Sequence, residues 1–196
     1  MVARRRALHD SAAEHGQAIV EVALTLPVLL LLILGIFEFA LVLNSRNTVY
    51  FASRDASMLA AEGGSIAGTD CVVLDRIERD IVSPAKPVRV ISVKIFWSDR
   101  NGVEFSGNEN LYTRGGTTTC TFNGSTLTVP YTLTTGGYVE DARCDVRLGC
   151  GGGHTSPDTI GVTVSYQHSW VTSVAQIATS AITFSETSAT RIEPQQ

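Results

Sequence analysis

The chain has few charged residues and no concentration of positive charge. Of its 196 residues, 15 are Lys or Arg and 19 are Asp or Glu, so the formal net charge is −4. A nucleic-acid-binding surface needs clustered Lys and Arg that neutralise phosphates. This balance therefore argues against nucleic acid as a partner.

Recognisable catalytic patterns are also missing. Residues 63–67, GGSIA, match a nucleophile elbow poorly, because they follow a predicted helix whereas the elbow follows a strand. The Gly-rich residues 149–153 lack the Lys-Ser/Thr pair of a phosphate-binding loop. His15, His154 and His168 have no acid or thiol at catalytic spacing. We therefore predict that the protein is not an enzyme, and we identify neither a cofactor nor a small-molecule substrate.

The most prominent feature that is present is one long apolar run. As a helix, residues 18–43 rise ~39 Å, enough to cross a hydrocarbon core of ~30 Å. A cleaved secretory signal has a shorter core of ~7–15 residues and a small-residue cleavage site. Arg4 to Arg6 precede the run, and Arg46 is the first basic residue after it. The positive-inside rule then predicts a single-pass inner-membrane protein with its N-terminus in the cytoplasm.

Two acidic residues interrupt this run. Glu21 lies near its inner end and Glu38 near its outer end. An ionised carboxylate near the centre of a bilayer costs ~2.5–3.5 kcal/mol on insertion scales, so such a residue usually has a partner or a function. Glu38 is close enough to the outer interface to reach it. Glu21 is the fifth residue after Gly16, where the short basic leader ends and the apolar helix begins, and this context suggests a function.

Three motifs lie in and after this run: G-Q-A-I-V-E-x-A-L-x-L-P at 16–27, L-G-I-F-E-F at 34–39 and R-D-A-x-x-x-A-A-E-G at 54–63. Together they resemble the TadE-like family, the pseudopilins of tight-adherence (Flp-type) pilus systems. The family often has Gly where this chain has Ala40, which weakens the expectation of a tight helix contact at that point. The resemblance covers the N-terminal third, and the remainder is similar in layout only.

The resemblance implies processing and assembly roles. A prepilin peptidase would cut after Gly16 at the cytoplasmic face, and Gln17 would become the new N-terminus. Glu21 would then lie one helical turn from the new α-amino group, because residues i and i+4 share a face. Pairing with the amino group of a neighbouring subunit instead would set the axial register between subunits. The implied partners are the membrane, prepilin peptidase and other pilin or pseudopilin subunits.

The sequence pattern predicts four regions. These are a basic leader at 1–16, a transmembrane helix at 17–43, its extracytoplasmic continuation at 44–62, and a β-rich domain at 63–196. The continuation has an apolar face of Val49, Ala52, Ala56, Leu59 and Ala60, with Ser53 expected outside it. Gly63 and Gly64 are expected to end the helix. A short helix is predicted at 69–82, with Thr69 or Asp70 as its cap.

The outer domain has strand signals with turn residues between them. An alternating face of Ile91, Val93, Ile95 and Trp97 predicts the first strand at 89–97, and the Asn-Gly at 101–102 predicts a turn after it. A return strand is expected to start at 103–105, and further strands at 126–134, 160–168 and 182–190. Pro130 predicts an edge position for the strand at 126–134. We therefore predict an α+β, pilin-like fold, in which the long helix packs on an antiparallel sheet of about four strands.

The four cysteines all fall in the outer domain: Cys71, Cys120, Cys144 and Cys150. An even number in an oxidising compartment predicts two disulfides, of which the sequence leaves three pairings open. The alternative is a metal site that uses Cys144, Cys150 and His154, with His168 as a further ligand. That spacing lacks the C-x2-C pair typical of zinc sites, so no metal is predicted.

The leading functional hypothesis is a TadE-like pseudopilin or minor pilin. An alternative is an uncleaved single-pass protein whose outer domain binds a ligand or a cell-wall component. A third class, a membrane-anchored hydrolase, lacks a recognisable site in the sequence.

Overall fold

The computed structural model describes residues 6–145, 150, 154, 156–172 and 180–192, with side chains described from Gly16 onward. It contains a very long helix, a short helix and five strands. In chain order these are α1 (Arg6–Gly63), α2 (Thr69–Asp80), β1 (Val90–Ser98), β2 (Glu104–Phe122), β3 (Ser125–Gly136), β4 (Thr159–Ser169) and β5 (Ala181–Arg191). Two short 3₁₀ turns lie at Pro87–Arg89 and Glu140–Ala142.

The strands form one antiparallel sheet in the order β3-β2-β1-β4-β5. The α+β class is confirmed, but the expected count of about four strands was wrong. All five strands correspond to strand signals in the sequence, but only the start of β2, at 103–105, was expected; β2 continues through two register shifts against β3 and past the positive-φ residues Gly107 and Gly115. Irregularities of this kind bend a strand without ending it. The strand that contains Pro130, β3, lies at an edge of the sheet, as predicted.

Helix α1 is continuous from the leader into the outer domain. It begins at Arg6, earlier than the predicted start near Gln17, because residues 7–14 include good helix formers and neither Gly nor Pro. Pro27 lies within the helix without ending it. The predicted C-terminus is confirmed: the helix ends at Gly63, and Gly64 adopts a φ of 51° while its N–H donates to the Ala60 carbonyl.

The outer half of α1 packs on β4 and β5 through small side chains. Val49, Ala52, Ala56 and Ala60 are fully buried as predicted, whereas Leu59 is only half-buried. The expectation that Ser53 lies outside this face was wrong, since Ser45, Ser53 and Ser57 are also fully buried. Buried hydroxyls need partners. That of Ser57 bonds the hydroxyls of Ser188 (3.2 Å) and Thr190 (2.9 Å) on β5.

The inner face of the sheet follows the predicted alternation in β4 but not throughout β1. Ile160, Val162, Val164 and Tyr166 are all buried. In β1, a register shift against β4 between Val90 and Ser92 buries Val90 and leaves Ile91 exposed. A bulge adds one residue to the strand and so reverses the alternation at that point.

The turn between β1 and β2 forms where Asn101-Gly102 predicts it. Gly102 has a φ of 80°, and its N–H donates to the Asp99 carbonyl. The Asp99 carboxylate accepts the N–H groups of Asn101 and Val103, each at 2.8 Å. These bonds from an Asp side chain to the backbone that follows it stabilise the tight turn.

Candidate functional site

The N-terminal half of α1 is an apolar rod that contacts little of the remaining chain. Every residue from Gly16 to Phe37 is exposed, including Ile19, Leu24 and Ile36 at 70%. Among the described residues, one helix, Gly16–Gly63, is long and apolar enough to span a membrane, and its most apolar stretch has a mean hydropathy of 2.8. Apolar surface of this extent is stable only against lipid or other protein chains.

Gly16, Gln17 and Glu21 lie on this rod. All three are exposed, and Gln17 and Glu21 share a helical face because they are four residues apart. The Glu21 carbonyl accepts the Thr25 hydroxyl at 2.9 Å, a bond that leaves the Glu21 carboxylate available to another partner. Cleavage after Gly16 and a register role for Glu21 remain predictions.

Glu38, the second acid, is buried, with 3% of its surface exposed. Its carboxylate accepts the backbone N–H groups of Val171, at 3.3 Å, and of Thr172. These residues follow β4, so the sheet domain extends down α1 and covers the outer acid. A carboxylate that accepts backbone N–H groups is stabilised without a cation.

A Ser–His contact lies one to two helical turns further out. The Ser45 hydroxyl and the His168 Nδ1 atom are 3.2 Å apart, and both residues are buried. Burial lowers the pKa of His168, and the nearby Glu38 carboxylate opposes this shift only in part. Because Ser45 has no exposed surface, this pair does not form an accessible nucleophile, and it instead joins α1 to β4.

The rod and the part of the helix that packs on the sheet belong to one continuous helix, α1. A sequence comparison finds a known family over most of this helix. The family model for TadE-like protein matches residues 16–58. The predicted resemblance is confirmed over this segment. Neither the curated proteins nor the solved structures include a match to the chain.

TadE-like proteins are components of pilus assembly and are not known as enzymes. The TadE-like segment includes the whole exposed rod and most of the small-residue face that packs on β4 and β5. Within the described part of the chain, the one candidate membrane helix lies near the N-terminus, which fits a single-pass membrane protein.

Two disulfides stabilise the outer domain, in agreement with the predicted number. Cys71 of α2 is bonded to Cys120 of β2, and Cys144 is bonded to Cys150. The first pair attaches α2 to the sheet, and the second closes a short loop. With all four sulfurs in disulfides, the thiolates that the alternative metal site requires are not present in this structure.

The outer domain also contains a buried ion pair that the sequence did not reveal. The Arg143 Nη2 atom lies 2.6 Å from Asp70 Oδ1, and Arg143 has no exposed surface. The other Asp70 oxygen accepts the Asn110 amide at 2.8 Å and the Tyr112 hydroxyl at 2.9 Å. The guanidinium also lies over the Tyr138 ring, 4.7 Å from its centroid. This network joins α2, β2 and the segment after β3.

The cap of α2 comes from a distant residue. The expectation that Thr69 or Asp70 caps the helix was wrong, because the Glu140 carboxylate accepts the N–H groups of Gly68 (2.6 Å) and Asp70 (2.7 Å). The Thr69 hydroxyl instead donates to the Ile66 carbonyl. Burial raises the pKa of Glu140, although these two N–H groups oppose the shift.

A cleft of about 450 Å³ opens beside this cap, between α2 and β2–β3. Leu74, Leu133 and the Cys71–Cys120 disulfide form apolar parts of its wall. Asp70 and Asn110, which also line it, bond to each other, and Asn110 donates to the Tyr138 carbonyl as well. This arrangement supports a structural role for these groups.

His154 has an acidic partner, contrary to the sequence-based expectation. Its Nδ1 atom lies 2.5 Å from Asp158 Oδ1, and its ring stacks on Trp97 at 4.1 Å. Asp158 Oδ2 accepts the Tyr138 hydroxyl at 2.7 Å and the Cys144 N–H at 3.1 Å. The His154–Asp158 pair therefore belongs to the bonded structure that holds the segment after β3 against the sheet.

Proposed function

We propose that this protein is a membrane-anchored pseudopilin or minor pilin that takes part in assembly of a tight-adherence pilus. The supporting observation is the exposed TadE-like rod, which continues without a break into the helix that carries the outer domain. Such a rod requires lipid before assembly and neighbouring helices or lipid afterwards. The 134 residues beyond Glu62 (196 − 62) favour a minor component over the bulk pilin, because the main Flp-type pilins are far smaller.

The proposed membrane orientation and cleavage of the chain are those that its sequence predicts. The basic leader stays in the cytoplasm, the rod spans the inner membrane, and the sheet domain with its disulfides lies outside, where oxidation is favoured. Prepilin peptidase removes residues 1–16. The amino group of Gln17 in one subunit then pairs with Glu21 of a neighbour, and this contact sets their axial register.

A Glu21→Ala variant tests the register role in cells that express the complete pilus system. The expected result is normal amounts of membrane-inserted protein but a strong loss of surface pili, counted by electron microscopy. A Glu21→Gln variant is expected to lose pili as well, because the amide keeps the size of the side chain but not its charge.

The matched control is Glu62→Ala, which removes an exposed acid from the outer end of the same helix. It is expected to leave pilus number unchanged. Normal piliation by both Glu21 variants would show that this carboxylate does not set the register.

A further inference from the structure

A notch lies where the rod meets the sheet domain. It has a volume of about 430 Å³ and lies between one face of α1 and the residues that follow β4. Leu31, Leu34 and Phe39 line it from the helix, and Trp170 and Thr172 line it from the opposite side. Apart from the covered carboxylate of Glu38, the notch is almost entirely apolar.

The segment Trp170–Thr172 is fixed against the rod. Two backbone N–H groups of this segment donate to the buried Glu38 carboxylate. The Trp170 ring contacts His168 edge to face, with 5.9 Å between centroids. Val171 is 65% exposed. The segment therefore presents an aromatic and an aliphatic side chain, and no charge, next to the exposed helix.

This segment lies at a height along α1 that corresponds to the outer boundary of a bilayer's hydrocarbon core. Glu38 lies 21 residues after Gln17 (38 − 17), which is ~32 Å at ~1.5 Å per residue. The hydrocarbon core is ~30 Å thick, so a rod that starts at the inner boundary places Glu38 at the outer one. Tryptophan is enriched at this depth, where its ring contacts acyl chains and its N–H remains near water.

We propose that Trp170 and Val171 insert into the outer leaflet and that acyl chains of phospholipids fill the notch. The inference rests on the proposed function, because it requires that the rod span the membrane. Lipid is the favoured occupant because the notch is continuous with the exposed apolar surface of the rod, which lipid is proposed to surround. The sheet domain is thereby held against the membrane at a second point besides its helix.

Fluorescence quenching by brominated lipid tests this inference. The full chain is reconstituted into phosphatidylcholine vesicles whose acyl chains carry bromine either near the carbonyl end or near the methyl end. The protein contains two tryptophans, so Trp97→Phe leaves Trp170 as the single fluorophore, and Trp170→Phe leaves Trp97. Trp97 is paired with Ile160, ten residues before Trp170 and roughly 30 Å away along β4.

The expected result is several-fold stronger quenching of Trp170 than of Trp97, with bromine near the carbonyl end more effective than bromine near the methyl end. The difference between the wild-type protein and Trp170→Phe gives the same comparison if Trp97→Phe does not fold. Leu29→Trp, made in a background with both natural tryptophans replaced by Phe, reports insertion of the rod itself. Leu29 is exposed at the middle of the run, so bromine near the methyl end is expected to quench it most.

The possible results distinguish a failure of lipid contact at the notch from a failure of the rod to insert into the membrane. Quenching of the Leu29→Trp reporter with an unquenched Trp170 would contradict lipid contact at the notch, and it would leave another protein subunit as the occupant. If neither fluorophore were quenched, the rod would not be in the membrane, and both the anchor and the inference would be wrong.

Discussion

Removing the charge of Asp70 tests whether the outer domain depends on its buried ion pair. In an Asp70→Asn variant the side chain keeps its size, but the guanidinium of Arg143 loses its counter-ion. Arg143 has no exposed surface, and its Nε and Nη1 atoms have no hydrogen-bond partner among the described residues. The positive charge would then be buried without a directly paired carboxylate, and only the nearby Glu140 would still attract it.

The size of the effect follows from this burial. Breaking a buried ion pair by removing one partner costs about 3–5 kcal/mol, a large part of a typical domain stability of about 5–15 kcal/mol. An Arg143→Met variant is expected to cost a similar amount, because it leaves the Asp70 carboxylate with neutral donors only. The double variant removes both charges, so its loss is expected to be well below the sum of the two single losses.

Urea unfolding of the full chain in detergent micelles, followed by tryptophan fluorescence, measures these free energies. The matched control is Asp75→Asn on the same helix, which breaks a surface ion pair with Arg79, whose side chain is 70% exposed. Its expected cost is about 0–1 kcal/mol. If Asp70→Asn cost no more than Asp75→Asn, or if the losses of Asp70→Asn and Arg143→Met were additive, the proposed role of the pair would be refuted.

Two further predictions concern the disulfides and the helix cap. Replacing Cys71 and Cys120 by Ser opens a loop with a sequence separation of 49 residues and is expected to lower the free energy of unfolding by about 4 kcal/mol. Replacing Cys144 and Cys150, which are six residues apart, is expected to lower it by about 2 kcal/mol. Equal losses in urea unfolding would contradict this order. The pKa of Glu140 is raised above its ordinary value of 4.5 in the folded state, so the protein is expected to lose stability relative to a Glu140→Gln variant as pH rises from 4.5 through the raised pKa. The same unfolding measurement over a pH series checks this, and a difference that did not change with pH would refute it.

The sequence predicts those parts of the fold that depend on local patterns. The C-terminus of α1 follows from Gly63 and Gly64, and β4 follows from the alternation of Ile160 to Tyr166. The membrane rod follows from length and composition alone. Each of these features involves neighbouring residues, whose spacing is visible in the chain.

Contacts between distant residues are not visible in this way. The acid that caps α2, Glu140, lies 70 residues from Asp70, and the residues that cover Glu38 lie more than 130 residues after it. Buried serines such as Ser57 look like surface residues in the sequence, because a helix face that packs closely on a sheet favours small side chains whether or not they are polar. The pairing of the cysteines and the continuity of β2 also depend on the tertiary fold.

The mass of the mature protein tests the central claim most directly. The chain is extracted from membranes with detergent, and its intact mass and N-terminal peptide are measured by mass spectrometry. The mature protein is expected to begin at Gln17 and to retain the whole apolar rod. A membrane protein that still carried residues 1–16 would instead support the uncleaved single-pass alternative, and a water-soluble product without the rod would contradict the account altogether.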